Sequence, residues 1–68
     1  MTVASKIKQT LAALKGSQGT LRLYAAQTRD EETRSVYNEA LETTQGVIDD
    51  IGKRVQDLEL QEPQYKGN

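Results

Sequence analysis

The side chains of this chain that could do chemistry are carboxylates, amines, guanidiniums and three tyrosines; cysteine and histidine are absent. Without them there is no thiolate or imidazole to act as nucleophile or base near neutral pH, and a structural zinc site is excluded on composition. Five acids, Glu39, Glu42, Asp49, Asp50 and Asp57, invite a test for metal or acid–base work. The helical di-iron pattern, however, needs Glu-x-x-His pairs aimed into a bundle, and these acids fall outside the apolar stripe described below. A solvated helix face accounts for them. Gly16-x-x-Gly19 lacks the lysine and the preceding strand of a phosphate loop, and no nucleophile stands at a base's spacing. The residues therefore predict no catalytic site, no cofactor and no metal, and a protein that is not an enzyme.

Lys8, Lys15, Arg22 and Arg29 recur every seven residues and place four cations along one flank of a helix. They are anion-contact candidates, and a small nucleic-acid-associated protein is the alternative reading they support. Against it stand a pI of about 5.3 and the lack of aromatic interleaving. The favoured reading is structural: the alkyl stems cover a core and the charged heads meet acids on a neighbouring helix. The charge distribution agrees with it. Residues 1–29 hold five bases and no acid, whereas residues 30–68 hold all ten acids and four bases, although the net charge is only -1. Two antiparallel helices of opposite sign would attract. Tyr24 and Tyr37 lie beside the connection between those helices, where a tyrosine packed with its hydroxyl near water is the ordinary case.

The elements that position these groups follow from periodicity. Ala4, Ile7, Leu11, Leu14, Gln18, Leu21, Ala25 and Thr28 alternate at spacings of three and four, as do Tyr37, Leu41, Thr44, Ile48, Ile51, Val55 and Leu58, with Ala40 and Val47 broadening the second stripe. Helix 1 is expected over about residues 3–28 and helix 2 over about 31–61, with 1–62 forming the hairpin and 63–68 an extended tail after the helix-ending Pro63. Thr28-Arg-Asp-Glu31 reads as a capping box, and Asp30 competes with it as the cap. The expected fold is all-α, an antiparallel two-helix hairpin. Helices of about 38–45 Å with wide stripes leave an apolar strip that two helices cannot cover. A chain of 68 residues without staples rarely stabilises a core alone, so a homodimer closing a four-helix bundle, or a higher homo-oligomer, is expected.

A second row, Ala12, Gly16, Gly19, Leu23 and Ala26, runs along the back of helix 1. Two glycines in a helix interior cost about 1 kcal/mol each relative to alanine. Close approach of another helix would account for Gly16, Gly19 and Leu23 as partner contacts; a bend or break around Lys15–Gly19 would account for the glycines equally well. In the tail, Pro63, Gln64, Tyr65, Lys66 and Gly67 form a second candidate docking segment, with a frayed terminus as the competing reading. No apolar run is long enough to span a membrane and no secretion signal is expected, so the predicted location is cytoplasmic and the chain soluble.

The segments Lys8-Gln-Thr-Leu-Ala-Ala-Leu-Lys-Gly16, Tyr24-Ala-Ala-Gln-Thr28 and the ending Glu62-Pro-Gln-Tyr-Lys-Gly67 resemble the small-protein family catalogued as domain of unknown function 1657. Asn68 departs from the family, which carries an aromatic there. The resemblance implies an origin in endospore-forming bacteria and a genomic setting beside sporulation-stage membrane proteins. It brings no catalytic residue. It implies protein–protein interaction: a structural or adaptor role in sporulation, with a spore-associated membrane protein as partner near the inner membrane and the tail in docking. A membrane-surface role fits less well, because the apolar face of helix 1 is needed for the bundle.

Overall fold

The computed structural model describes residues 3–61 and consists of two α-helices, α1 over Val3–Gln27 and α2 over Glu31–Gln61. They run antiparallel. Lys8 meets Glu59 at the open end, Gln18 meets Gln45 at mid-length and the Tyr24 and Tyr37 rings meet beside the turn. The stripe that periodicity predicts is the face that packs: all eight positions of the first stripe, the last of them Thr28 just beyond α1, and all seven of the α2 stripe are buried or half-buried. Val47, expected to widen the α2 stripe, is exposed instead, because two helices cover a band only about two positions wide per heptad. α1 passes through Gly16–Gly19 without a break and neither glycine has a positive φ, which removes the break reading.

At the turn the capping box does not form. α2 begins at Glu31, so Asp30 is the N-cap: its Oδ2 accepts from the Thr33 N–H at 3.0 Å and from the Thr33 hydroxyl. Thr28 instead accepts the Asp30 N–H at 3.3 Å, steadying the residue that caps. Glu31, freed from the box, pairs with Arg34. Arg34 also reaches back to the end of α1, where Nε donates to the Ala25 carbonyl at 3.2 Å and Nη2 to the Thr28 carbonyl at 2.6 Å. α1 has no base in its last turn, so this guanidinium supplies from α2 the positive charge and the donors that a helix C-terminus lacks.

The core is lean. Among the described residues the buried apolar side chains are Ala4, Ala25, Ile48 and Val55, and no large side chain is fully buried. Ile7, Leu11, Leu14, Leu21, Leu41, Ile51 and Leu58 are covered only in part. The radius of gyration is 15.2 Å, against about 10–11 Å for a compact chain of this size: the hairpin is a rod with one seam. At mid-seam, Gln18 is buried to 8% exposure and donates to Gln45 Oε1 at 2.6 Å. Gln45 in turn donates to Asp49 Oδ1 at 2.8 Å, so the amide layer is satisfied rather than stranded.

Candidate interaction faces

The hairpin has two broad faces, distinguished by register. Residues one position after each stripe residue include Lys8, Lys15, Arg22 and Arg29 on α1 and Asn38, Glu42, Gln45, Asp49, Gly52, Gln56 and Glu59 on α2. Because Lys8 bridges to Glu59 at 3.1 Å and Gln18 reaches Gln45, the two rows share one side, the charged face. Residues one position before each stripe residue must then share the other: Val3, Lys6, Thr10, Ala13, Ser17, Thr20, Tyr24 and Gln27 on α1, with Val36, Ala40, Thr43, Val47, Asp50, Arg54 and Asp57 on α2. Its charges, Lys6, Asp50, Arg54 and Asp57, all lie toward the open end. Between Thr10 and Val47 this neutral face carries none.

Of the four heptad-spaced cations, Lys8 behaves as the structural reading expects and meets an acid of the neighbouring helix. Lys15, Arg22 and Arg29 form no ion pair among the described residues. Opposite Lys15, Gly52 leaves a gap, since a side chain there would meet nothing within 4 Å. The result is an open groove of about 420 Å³ floored by Leu11 and Ile48 and edged by Lys15, Lys53, Asp49 and Gln56. The groove is open to water along its length, unlike an enclosed ligand cavity.

The remaining candidates are placed as follows. Gly16, Gly19 and Leu23 are exposed on the outside of α1, and no atom of the hairpin comes within 4 Å of where a Cβ would stand on either glycine. Close packing within the chain is therefore not their reason. Glu39, Glu42, Asp49, Asp50 and Asp57 are all exposed, and no group of three acids able to hold a metal ion occurs among the described residues. Tyr37 is half-buried and Tyr24 exposed, with ring centroids 6.0 Å apart and planes tilted by 45°. Pro63, Gln64, Tyr65, Lys66 and Gly67 lie outside the described residues. Among the titratable groups, Asp30 is held below its ordinary carboxylate range by the Thr33 hydroxyl first and the Thr33 N–H second. This is a capping effect and not a catalytic one.

Two features escaped the sequence reading. Arg34 stands seven residues before Leu41, in line with the α2 stripe; extending that stripe by one heptad would have flagged it as inward-facing. The neutral face was visible only as a broadening of the stripe by Ala40 and Val47, and its continuation through Tyr24 and Val36 needed the two helices brought together.

The described residues thus form a small all-helical protein, a rod of two helices with a satisfied polar seam. No helix among the described residues is long and apolar enough to cross a membrane. The family model described as Protein of unknown function (DUF1657) matches residues 7–55, and the chain belongs to that family. The match covers most of the hairpin and stops short of the end of α2 and of the Glu62–Gly67 ending. Comparison with curated proteins and with solved structures returned no match.

Proposed function

We propose that this protein is a non-catalytic structural adaptor that works as a homo-oligomer, most simply a dimer of hairpins forming a four-helix bundle. The observation that carries the reading is the incompletely covered stripe: seven large aliphatic side chains along the seam keep part of their surface open, and among the described residues no large side chain is fully buried. Burial stabilises by about 25 cal/mol per Å² of apolar surface, and a single seam of this kind falls short of what a domain needs. A second hairpin supplies the missing cover. Sedimentation equilibrium tests it, with a mass of at least twice the 7.6 kDa chain expected. A fully helical monomer at 100 micromolar, a concentration chosen as roughly a hundredfold above a micromolar Kd, overturns it.

The family resemblance makes spore-associated membrane-protein assemblies the first place to seek a partner for the adaptor. Affinity capture from sporulating cells, with a truncation after Leu60 as control, tests whether Pro63–Gly67 does the docking; equal recovery by both chains removes that role from the tail. A second reading, binding of nucleic acid, is favoured by Lys15, Arg22 and Arg29 being without ion-pair partners on one face. Its test is a titration with mixed-sequence DNA and RNA at low salt. Micromolar binding that weakens steeply with salt supports it, and no binding removes it.

A further inference from the structure

We infer that the neutral face is the surface on which a second copy of this chain docks, in a two-fold, face-to-face contact; this rests on the oligomeric reading above and assigns it a face. Three observations point there. The first is where the exposed large apolar side chains lie. Among the described residues they are Val3, Tyr24 (48% exposed), Val36 (60%) and Val47 (44%) on the neutral face, and Leu23 and Leu60 on the outer backs of the helices. The charged face has none.

The second observation is charge. In a two-fold contact a surface meets itself, so any charge on it faces its own copy or must find an opposite partner in register. From Thr10 to Val47 the neutral face has no charge to set against itself, and at the open end Arg54 is already paired with Asp50 at 3.2 Å. The charged face carries Lys15, Arg22 and Arg29 with no ion-pair partner in the hairpin, and stacking it on its copy would desolvate them. A partner of strong charge, conversely, has nothing to pair with on the central neutral face. The occupant that matches a weakly polar surface with valines, a tyrosine and short Ala, Ser and Thr side chains is the same surface.

The third is size. The hairpin measures 48 Å by 17 Å across its broad face, large enough to hold an interface of standard size, which buries about 800 Å² of accessible surface per partner. Two hairpins stacked there would sandwich the partly covered stripe residues between four helices. Ser17 and Val47 stand opposite each other at mid-length, at the middle of this face.

The chain has no cysteine, so single thiols report which face is covered. In Ser17→Cys the thiol should react with a maleimide more slowly as protein concentration rises through the association range, by roughly tenfold when the contact is formed, while the thiol of Arg22→Cys on the charged face keeps its rate. Val47→Glu, which sets a carboxylate into each side of the contact, should weaken association by more than about a hundredfold, with helicity and mass recovering together as concentration is raised; Leu23→Glu on the outer back should leave it intact. A dimer whose position-22 thiol is protected and whose position-17 thiol is not overturns the assignment and leaves the oligomeric reading standing. A helical monomer at every concentration overturns both.

Discussion

Arg34→Ala is the sharpest perturbation the hairpin offers, because one side chain ties three pieces of the turn together. The substitution removes donors to the Ala25 carbonyl at 3.2 Å and the Thr28 carbonyl at 2.6 Å, and the pair with Glu31. Hydrogen bonds from a charged group contribute about 1.5–3 kcal/mol when shielded. Here the Arg34 side chain is 37% exposed, and the freed carbonyls end a helix where water can reach them, so about 0.5–1 kcal/mol each is the appropriate discount. The Glu31 partner is largely exposed and adds no more than about 0.5 kcal/mol. Loss of a cation at the α1 C-terminus costs about another 0.3–0.5 kcal/mol. The sum is about 1.3–3 kcal/mol, or roughly 10 °C in Tm for a domain this small. Thermal unfolding followed by circular dichroism at 222 nm, at matched protein concentration because association shifts Tm, measures it. Arg34→Lys should recover about half, since an ammonium cannot fork to two carbonyls. Arg22→Ala, which loses no ion pair, should stay within about 0.5 kcal/mol of the parent. If Arg34→Ala does the same, the turn is not held by this residue.

Gln18→Leu exchanges one amide hydrogen bond for added apolar burial, while the exposed Gln45 keeps Asp49 and water. Unfolding should therefore be unchanged or raised by up to about 1 kcal/mol, and a loss of more than 1 kcal/mol in denaturant titration would assign the amide layer a larger role. Gly16→Ala and Gly19→Ala meet open space in the hairpin and should each stabilise by about 0.5–1 kcal/mol through helix propensity; a drop in Tm, or in oligomer mass, would show another backbone resting there. Asp30 titrates below its ordinary value near 3.8. The stability it contributes is thus fully present above that pH and lost as pH falls through its lowered folded value. The Tm difference between the parent and Asp30→Ala should shrink below pH 3.8, and a difference constant down to pH 2 would mean that the cap does not depend on the charge.

How far the hairpin was legible can be followed through particular residues. The stripes were plain because a half-buried helix repeats its apolar positions at spacings of three and four whatever it packs against, and even Gln18 held its place in the row. The cap was not. Thr28 and Asp30 both carry N-cap signals two residues apart, and the choice rests on where α2 starts; there Thr33 turns both its N–H and its hydroxyl to Asp30, and Arg34 holds the preceding carbonyls. The Arg34 contacts join the end of one helix to the start of the next and leave no local mark. The cation row was equally visible, yet its seven-residue spacing says where Lys8 and Lys15 lie and not what stands across from them. Glu59 stands opposite the first and Gly52 opposite the second, so identical residues in identical register have different surroundings.

The same features explain why register and association should be linked. An apolar seam of partly covered Leu and Ile tolerates sliding by a heptad at little cost, because one aliphatic contact replaces another. What resists sliding is polar and local: the Gln18–Gln45 amide pair at mid-length, the Lys8–Glu59 bridge at the open end and the Arg34 fork at the turn. The amide pair and the bridge are each worth up to about 1 kcal/mol and the Arg34 fork about 2 kcal/mol. They can select one register without being able to hold the rod together alone, and the cohesion must come from covering the faces that the seam leaves wet. Folding and docking then share one equilibrium. Diluting the protein below its association midpoint should lower helicity along with mass, with Tm falling linearly in the logarithm of concentration. A helical signal that is unchanged by dilution while the mass halves would separate the two and show that the seam suffices.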